Sequence, residues 1–157
     1  MDQNLDHIKY YINGDHLHIH GSNDVFDWWR NILAVPVPFH GAWAHLGYVL
    51  VAQKIIESLD LSGIRLITGF SFGGGVALVL GHYFRDIPVV SVASPKVGIG
   101  LKSNATNIID KRDLIIKPWP WFSRPGEEFL IKGDQSGLLI HSPSNYQSHC
   151  SFNIFEV

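Results

Sequence analysis

Residues 8–12 (IKYYI) form a β-rich run that stops at Asn13-Gly14. The chain resumes at residues 15–20 with Leu17 and Ile19 alternating against His16, His18 and His20. Two such runs joined by Asn-Gly predict a hairpin with a type I′ turn. From His45 to Leu59 the period changes. Leu46, Val49, Leu50, Ile56 and Leu59 are apolar, Lys54 and Glu57 lie between them and Gly63 follows, so a half-buried helix is expected. Residues 64–68 (IRLIT) read as a short strand. Residues 74–84 are apolar on almost every face until Arg85-Asp86 and Pro88, the pattern of a helix deep in a domain. Residues 89–93 and 105–109 read as buried strands, and 129–131 and 138–140 as two more.

Strands that alternate with helices, without polar-apolar alternation of their own, argue for a mostly parallel sheet covered by helices on both faces. The expected class is α/β. A length of 157 residues fits one domain over residues 1–157. No apolar stretch approaches the roughly 20 residues that cross a bilayer. The N-terminus lacks the pattern of a secretory signal, and Cys150 is the single cysteine, so an intracellular, cytoplasmic setting is expected. A net charge of −2 gives no basic surface for nucleic acid, which is excluded as a partner.

Ser71 stands between Gly69 and Gly73, at the point where strand chemistry turns into helix chemistry. In an open α/β sheet, sites form at the carboxyl ends of strands, and a serine in such a turn needs a strained backbone with nearly side-chain-free neighbours. The turn lifts the hydroxyl clear and aims the first helical N–H groups, Phe72 foremost, at a developing oxyanion. A serine hydroxyl attacks an ester only when a histidine takes its proton and a carboxylate orients that histidine. Asp113, after the strand at 105–109, has the strand-end position expected of the acid, with Asp110 as its rival. Either aspartate also suits a turn in which it caps its own backbone. Downstream remain His141, at an expected strand end, and His149, in a loop; His149 is the preferred base.

These blocks resemble the class 3 lipases, the fungal-type lipases within the α/β-hydrolases. The family's Gly-His-Ser-Leu-Gly-Gly-Ala is similar to Gly69-Phe-Ser-Phe-Gly-Gly-Gly75, and its Ser-Pro-x-Val-Gly to Ser94-Pro-Lys-Val-Gly98. Arg112-Asp113 with the later Gly126-Glu-Glu resembles the family's acid block, and His149 with Ser151-Phe152 its histidine block. The segment His18-Ile-His-Gly-Ser22, with Asp27-Trp28 beyond, resembles the block in which a hydroxyl residue gives a second oxyanion donor, a role the resemblance assigns to Ser22. Phe70 and His20 replace the family's usual histidine and arginine. The chain is also much shorter than typical members, which implies a reduced N-terminal region and a lid cut down to residues 32–39.

The resemblance implies a serine esterase or lipase with a Ser71, Asp113, His149 triad, no cofactor, and an acyl ester or lipid as substrate. It also leaves room for peripheral contact with a lipid surface. Trp28, Trp29, Trp43, Trp119 and Trp121 fall in segments expected at the active-site end, as an acyl-pocket lining or as aromatic cover for a thin core. His16, His18 and His20 share one strand face. No cysteine or carboxylate near them completes a metal site, so no metal is expected. Cys150 reads as packing. Two rivals remain: a hydrolase-like lipid- or ligand-binding module without catalysis, and acyl transfer from thioesters or amides.

Overall fold

The computed structural model describes residues 3–5, 8–21 and 35–150. Seven strands form the main sheet: β1 (Gln3–Leu5), β2 (Ile8–Asn13), β3 (His16–Ile19), β6 (Leu66–Phe70), β7 (Val89–Val92), β9 (Ala105–Asp110) and β10 (Glu127–Ile131), adjacent in that order. The β2–β3 hairpin turns at Gly14, whose φ of +60° is the conformation that the Asn-Gly pair supplies. From β3 onward every neighbouring pair is parallel. The molecule is therefore mixed α/β with a mostly parallel sheet.

Helices α1 (Leu46–Ser58) and α2 (Phe72–Tyr83) pack on each other, and α2 also packs on β3, β6 and β7. Leu17, Ile19, Ile67, Val76, Leu78, Leu80 and Val89 build a core with them in which these side chains are almost fully buried. Gly75 is needed where the two helices meet, because a Cβ there would run into the ring of Tyr48.

On the opposite face Phe70, Val92 and Ile108, which are register neighbours, pack with Ile116, Ile131 and Tyr146. Among the described residues that face carries only the five-residue helix α3 (Pro143–Gln147) and a 3₁₀ turn at Gly137–His141. Full helices on both faces were expected, and the cover here is thinner. The strand expected at 138–140 is that 3₁₀ turn. Its Leu138 and Leu139 stay exposed, and Gly137 at φ +59° and Pro143 bound it on either side.

A second, antiparallel sheet joins β4 (Pro36–Phe39), β5 (Ala42–His45) and β8 (Gly98–Ile99) in that order. Part of the segment expected as a lid remnant, 36–39, is thus an edge strand. Pro36 and Pro38, which have no N–H to give a ladder, are tolerated at an edge.

Candidate active site

Strand β6 ends at Phe70 and α2 begins at Phe72, so Ser71 alone makes the turn. Its φ of 53° and ψ of −118° lie where a residue with a side chain is strained, a cost of about 1–3 kcal/mol that the surroundings must hold in place. They hold it from both directions. The Ser71 N–H donates to Val92 O at 2.8 Å, and its carbonyl accepts from Gly75 N at 3.1 Å. A Cβ on Gly69 would overlap the Gly73 carbonyl, and one on Gly73 would overlap the carbonyls of Ile19 and His20. Glycine at both positions is the condition for strand, serine and helix to pass this closely.

Ser71 Oγ lies 2.7 Å from His141 Nε2, and His141 Nδ1 lies 2.6 Å from Asp113 Oδ2. A carboxylate can only accept, so Nδ1 carries the imidazole proton and Nε2 is left as acceptor for the Ser71 hydroxyl. That is the tautomer a general base needs. Asp113 is buried, and its other oxygen, Oδ1, accepts from Ile115 N at 2.9 Å. The Tyr146 hydroxyl donates to Oδ2 at 2.9 Å.

His149 does not reach Ser71. It is exposed beyond α3, its backbone N–H held by Tyr146 O, and the imidazole that meets Ser71 is that of His141. Asp110 explains why. Its carboxylate takes a two-pronged bond from Arg112 and accepts from Gly133 N and Asn145 Nδ2, while Asn145 also donates to Ile140 O. The aspartate at the end of β9 thereby ties down the segment from 133 to 145 and aims His141 at the serine. The Arg112 guanidinium, ahead of the backbone and Asn145 donors, holds the Asp110 carboxyl well below the usual carboxylate range. Asp110 and Asp113 both also cap backbone N–H groups two residues on, so the turn-residue reading is true of each.

Phe72 heads α2, so its N–H and the positive end of the helix dipole lie beside Ser71. Gly21, two residues beyond β3, packs against Ser71, where a Cβ on the glycine would sit 3.5 Å from the serine Cβ. Ser22, Trp28 and Trp29, expected as oxyanion donor and aromatic lining, lie outside the described residues.

Trp119 connects to the site through a series of tilted ring contacts. It lies 4.5 Å from His45, which lies 4.9 Å from Tyr48, which lies 5.0 Å from Phe72, between centroids. Trp43 on β5 and Trp121 are about half exposed. The His45 Nδ1 accepts from Gly47 N at 3.1 Å and so caps α1. Burial pushes the His45 pKa down to about 4, against a smaller opposing effect of its own backbone.

On the face of β3, His16 Nε2 and His18 Nδ1 both meet the Thr68 hydroxyl, at 2.7 and 2.6 Å. Burial, then the neighbouring His20 and His16, pushes the His18 pKa down to about 3. Among the described residues no cluster of three or more histidine, cysteine or carboxylate side chains is disposed to hold a metal, and no helix is long and apolar enough to cross a membrane. Burial also raises the Cys150 thiol, to about 11, which suits packing better than nucleophilic attack. A groove of about 480 Å³ between Leu59, Ile64, Tyr83 and Phe84 lies at the other end of β6, away from Ser71.

A scan against protein-family models finds no match for the chain, and a search of curated proteins finds none either.

Proposed function

We propose that the chain is a serine hydrolase that cleaves carboxylic esters, lipid acyl esters foremost, through an acyl-enzyme. The observation that carries this reading is the continuous line from Asp113 Oδ2 through both nitrogens of His141 to Ser71 Oγ, on a strained strand-to-helix turn. The resemblance of the blocks around Ser71 and Ser94 to class 3 lipases supports an α/β-hydrolase assignment and points to acyl esters.

In the reaction, Ser71 Oγ attacks the ester carbonyl carbon as its proton passes to His141 Nε2. Asp113 holds the ring in place and stabilises the imidazolium. The tetrahedral oxyanion faces the Phe72 N–H, with Ser22 as the second donor that the resemblance suggests. As the carbon–oxygen bond to the alcohol breaks, His141 returns the proton to the leaving oxygen, and acyl-Ser71 remains. Water then gives a proton to His141 and attacks the acyl carbon, and as the bond from that carbon to Ser71 Oγ breaks, His141 passes the proton to Oγ, which frees the acid and restores the serine.

Turnover of matched ester, thioester and amide substrates by the intact chain and by Ser71→Ala tests this reading. Ester turnover that disappears in Ser71→Ala supports it. Ester turnover that survives there overturns it, and amide or thioester cleavage outrunning ester cleavage reassigns the leaving group.

A further inference from the structure

We infer that Tyr146 is a positioning residue for this relay, its hydroxyl fixing the Asp113 carboxylate in the orientation that faces His141. The inference rests on the serine-hydrolase reading above. Asp113 Oδ2 receives two donors, His141 Nδ1 at 2.6 Å and the Tyr146 hydroxyl at 2.9 Å. The tyrosine oxygen accepts from Asp110 N at 3.3 Å, so its one proton is committed to Asp113.

The geometry of the carboxylate makes this second donor useful. Oδ1 is held by Ile115 N, but without Tyr146 the other oxygen would be held by the imidazole alone. That ring gains and loses a charge twice per cycle, so a donor that does not change charge keeps the acceptor still while the proton moves. Tyr146 meets that requirement. It is fully buried, and burial together with the nearby Asp113 carboxylate raises its pKa, so the phenol keeps its proton.

Its ring is fixed as well. Phe70 meets the Tyr146 ring at 6.2 Å and the His141 ring at 5.6 Å, so one aromatic side chain packs against both members of the relay. The chain delivers Tyr146 by way of α3, with Pro143 in its first turn and Asn145 anchored to Asp110.

The test is the rate of fluorophosphonate labelling at Ser71, with kcat and KM for an ester, in the unsubstituted chain, Tyr146→Phe, Asp113→Asn and the double variant. Tyr146→Phe keeps the ring and removes the donor. A hydrogen bond to a charged group is worth enough that labelling and kcat should fall by about 10- to 100-fold, with KM unchanged. In the Asp113→Asn background the same change should cost little, because no carboxylate remains to position. An equal cost in both backgrounds would mark the tyrosine as packing only, and no cost in either would leave it no role; both overturn the inference. No labelling of the unsubstituted chain instead removes the serine-hydrolase reading. Should Tyr146→Phe fail to fold, the Tyr146 hydroxyl proton can be followed by NMR in the unsubstituted chain and in Asp113→Asn. A resonance that shifts between them supports the contact, and one that does not move overturns it.

Discussion

His45 makes the fold sensitive to acid in a way whose size follows from its surroundings. The imidazole is buried between Tyr48, Trp119 and Phe122 and accepts the Gly47 N–H through Nδ1, so it is held neutral. Its pKa falls from 6.5 to about 4 on folding. The unfolded chain takes up the proton first, so the stability linked to this group is complete above pH 6.5 and is lost as the pH falls through about 4. A difference of about 2.5 pH units at 1.36 kcal/mol each is about 3 kcal/mol, a large share of the about 5–15 kcal/mol that holds a domain together.

His45→Asn isolates the effect. Asparagine keeps a side-chain acceptor for the cap, loses the titration and leaves a gap beside three aromatic rings. At pH 7.5 the variant should be less stable by about 1–3 kcal/mol from lost packing. Between pH 7.5 and 4, however, it should lose about 3 kcal/mol less than the unsubstituted chain. Urea unfolding at half-unit pH steps, with the m-value checked for constancy, reads both differences. Parallel stability–pH curves for the two proteins would refute the reasoning, because they would mean that His45 carries the same proton count folded and unfolded.

Other perturbations separate the parts of the site. Gly73→Ala drives a methyl into the carbonyls of Ile19 and His20, which are backbone and cannot swing aside, so chemical denaturation should show a loss of about 1–3 kcal/mol or more. Asp110→Ala leaves Arg112, Gly133 N and Asn145 without their shared acceptor. It should cost about 3–5 kcal/mol and lower ester turnover, although Asp110 touches neither Ser71 nor His141; a fully active, equally stable variant would rule out its role as the brace of the 133–145 segment.

The parallel core and the strand-to-helix turn at Ser71 were legible because each rests on a local signal. Asn13-Gly14 marks the hairpin, the apolar run ending at Pro88 marks α2, and Gly69 and Gly73 mark a turn that only small residues allow. The small sheet was not legible, since Pro36 and Pro38 argue against any strand except an edge, and an edge is defined only by its partners. The run Leu138-Leu-Ile140 misled for a related reason: its leucines are apolar yet exposed, and their turn is held through Ile140 O by Asn145, which is itself tied to Asp110 across 35 residues of sequence. The same long-range tie decides between His141 and His149. Chain order allows both, the resemblance favoured His149, and only the anchoring of the 133–145 segment to β9 brings His141 onto Ser71. Phe70, where the class 3 lipases that the sequence resembles carry a histidine, packs against both His141 and Tyr146.

The central claim is that Ser71 is activated by His141. Its most direct test is intact mass with peptide mapping after fluorophosphonate exposure of the unsubstituted chain, His141→Asn and His149→Asn, since only a hydroxyl activated by its surroundings reacts readily. The account predicts one adduct, on Ser71, in the unsubstituted chain and in His149→Asn, and none on the same timescale in folded His141→Asn. An adduct that persists in His141→Asn and disappears in His149→Asn would contradict it, as would no adduct on any of the folded proteins.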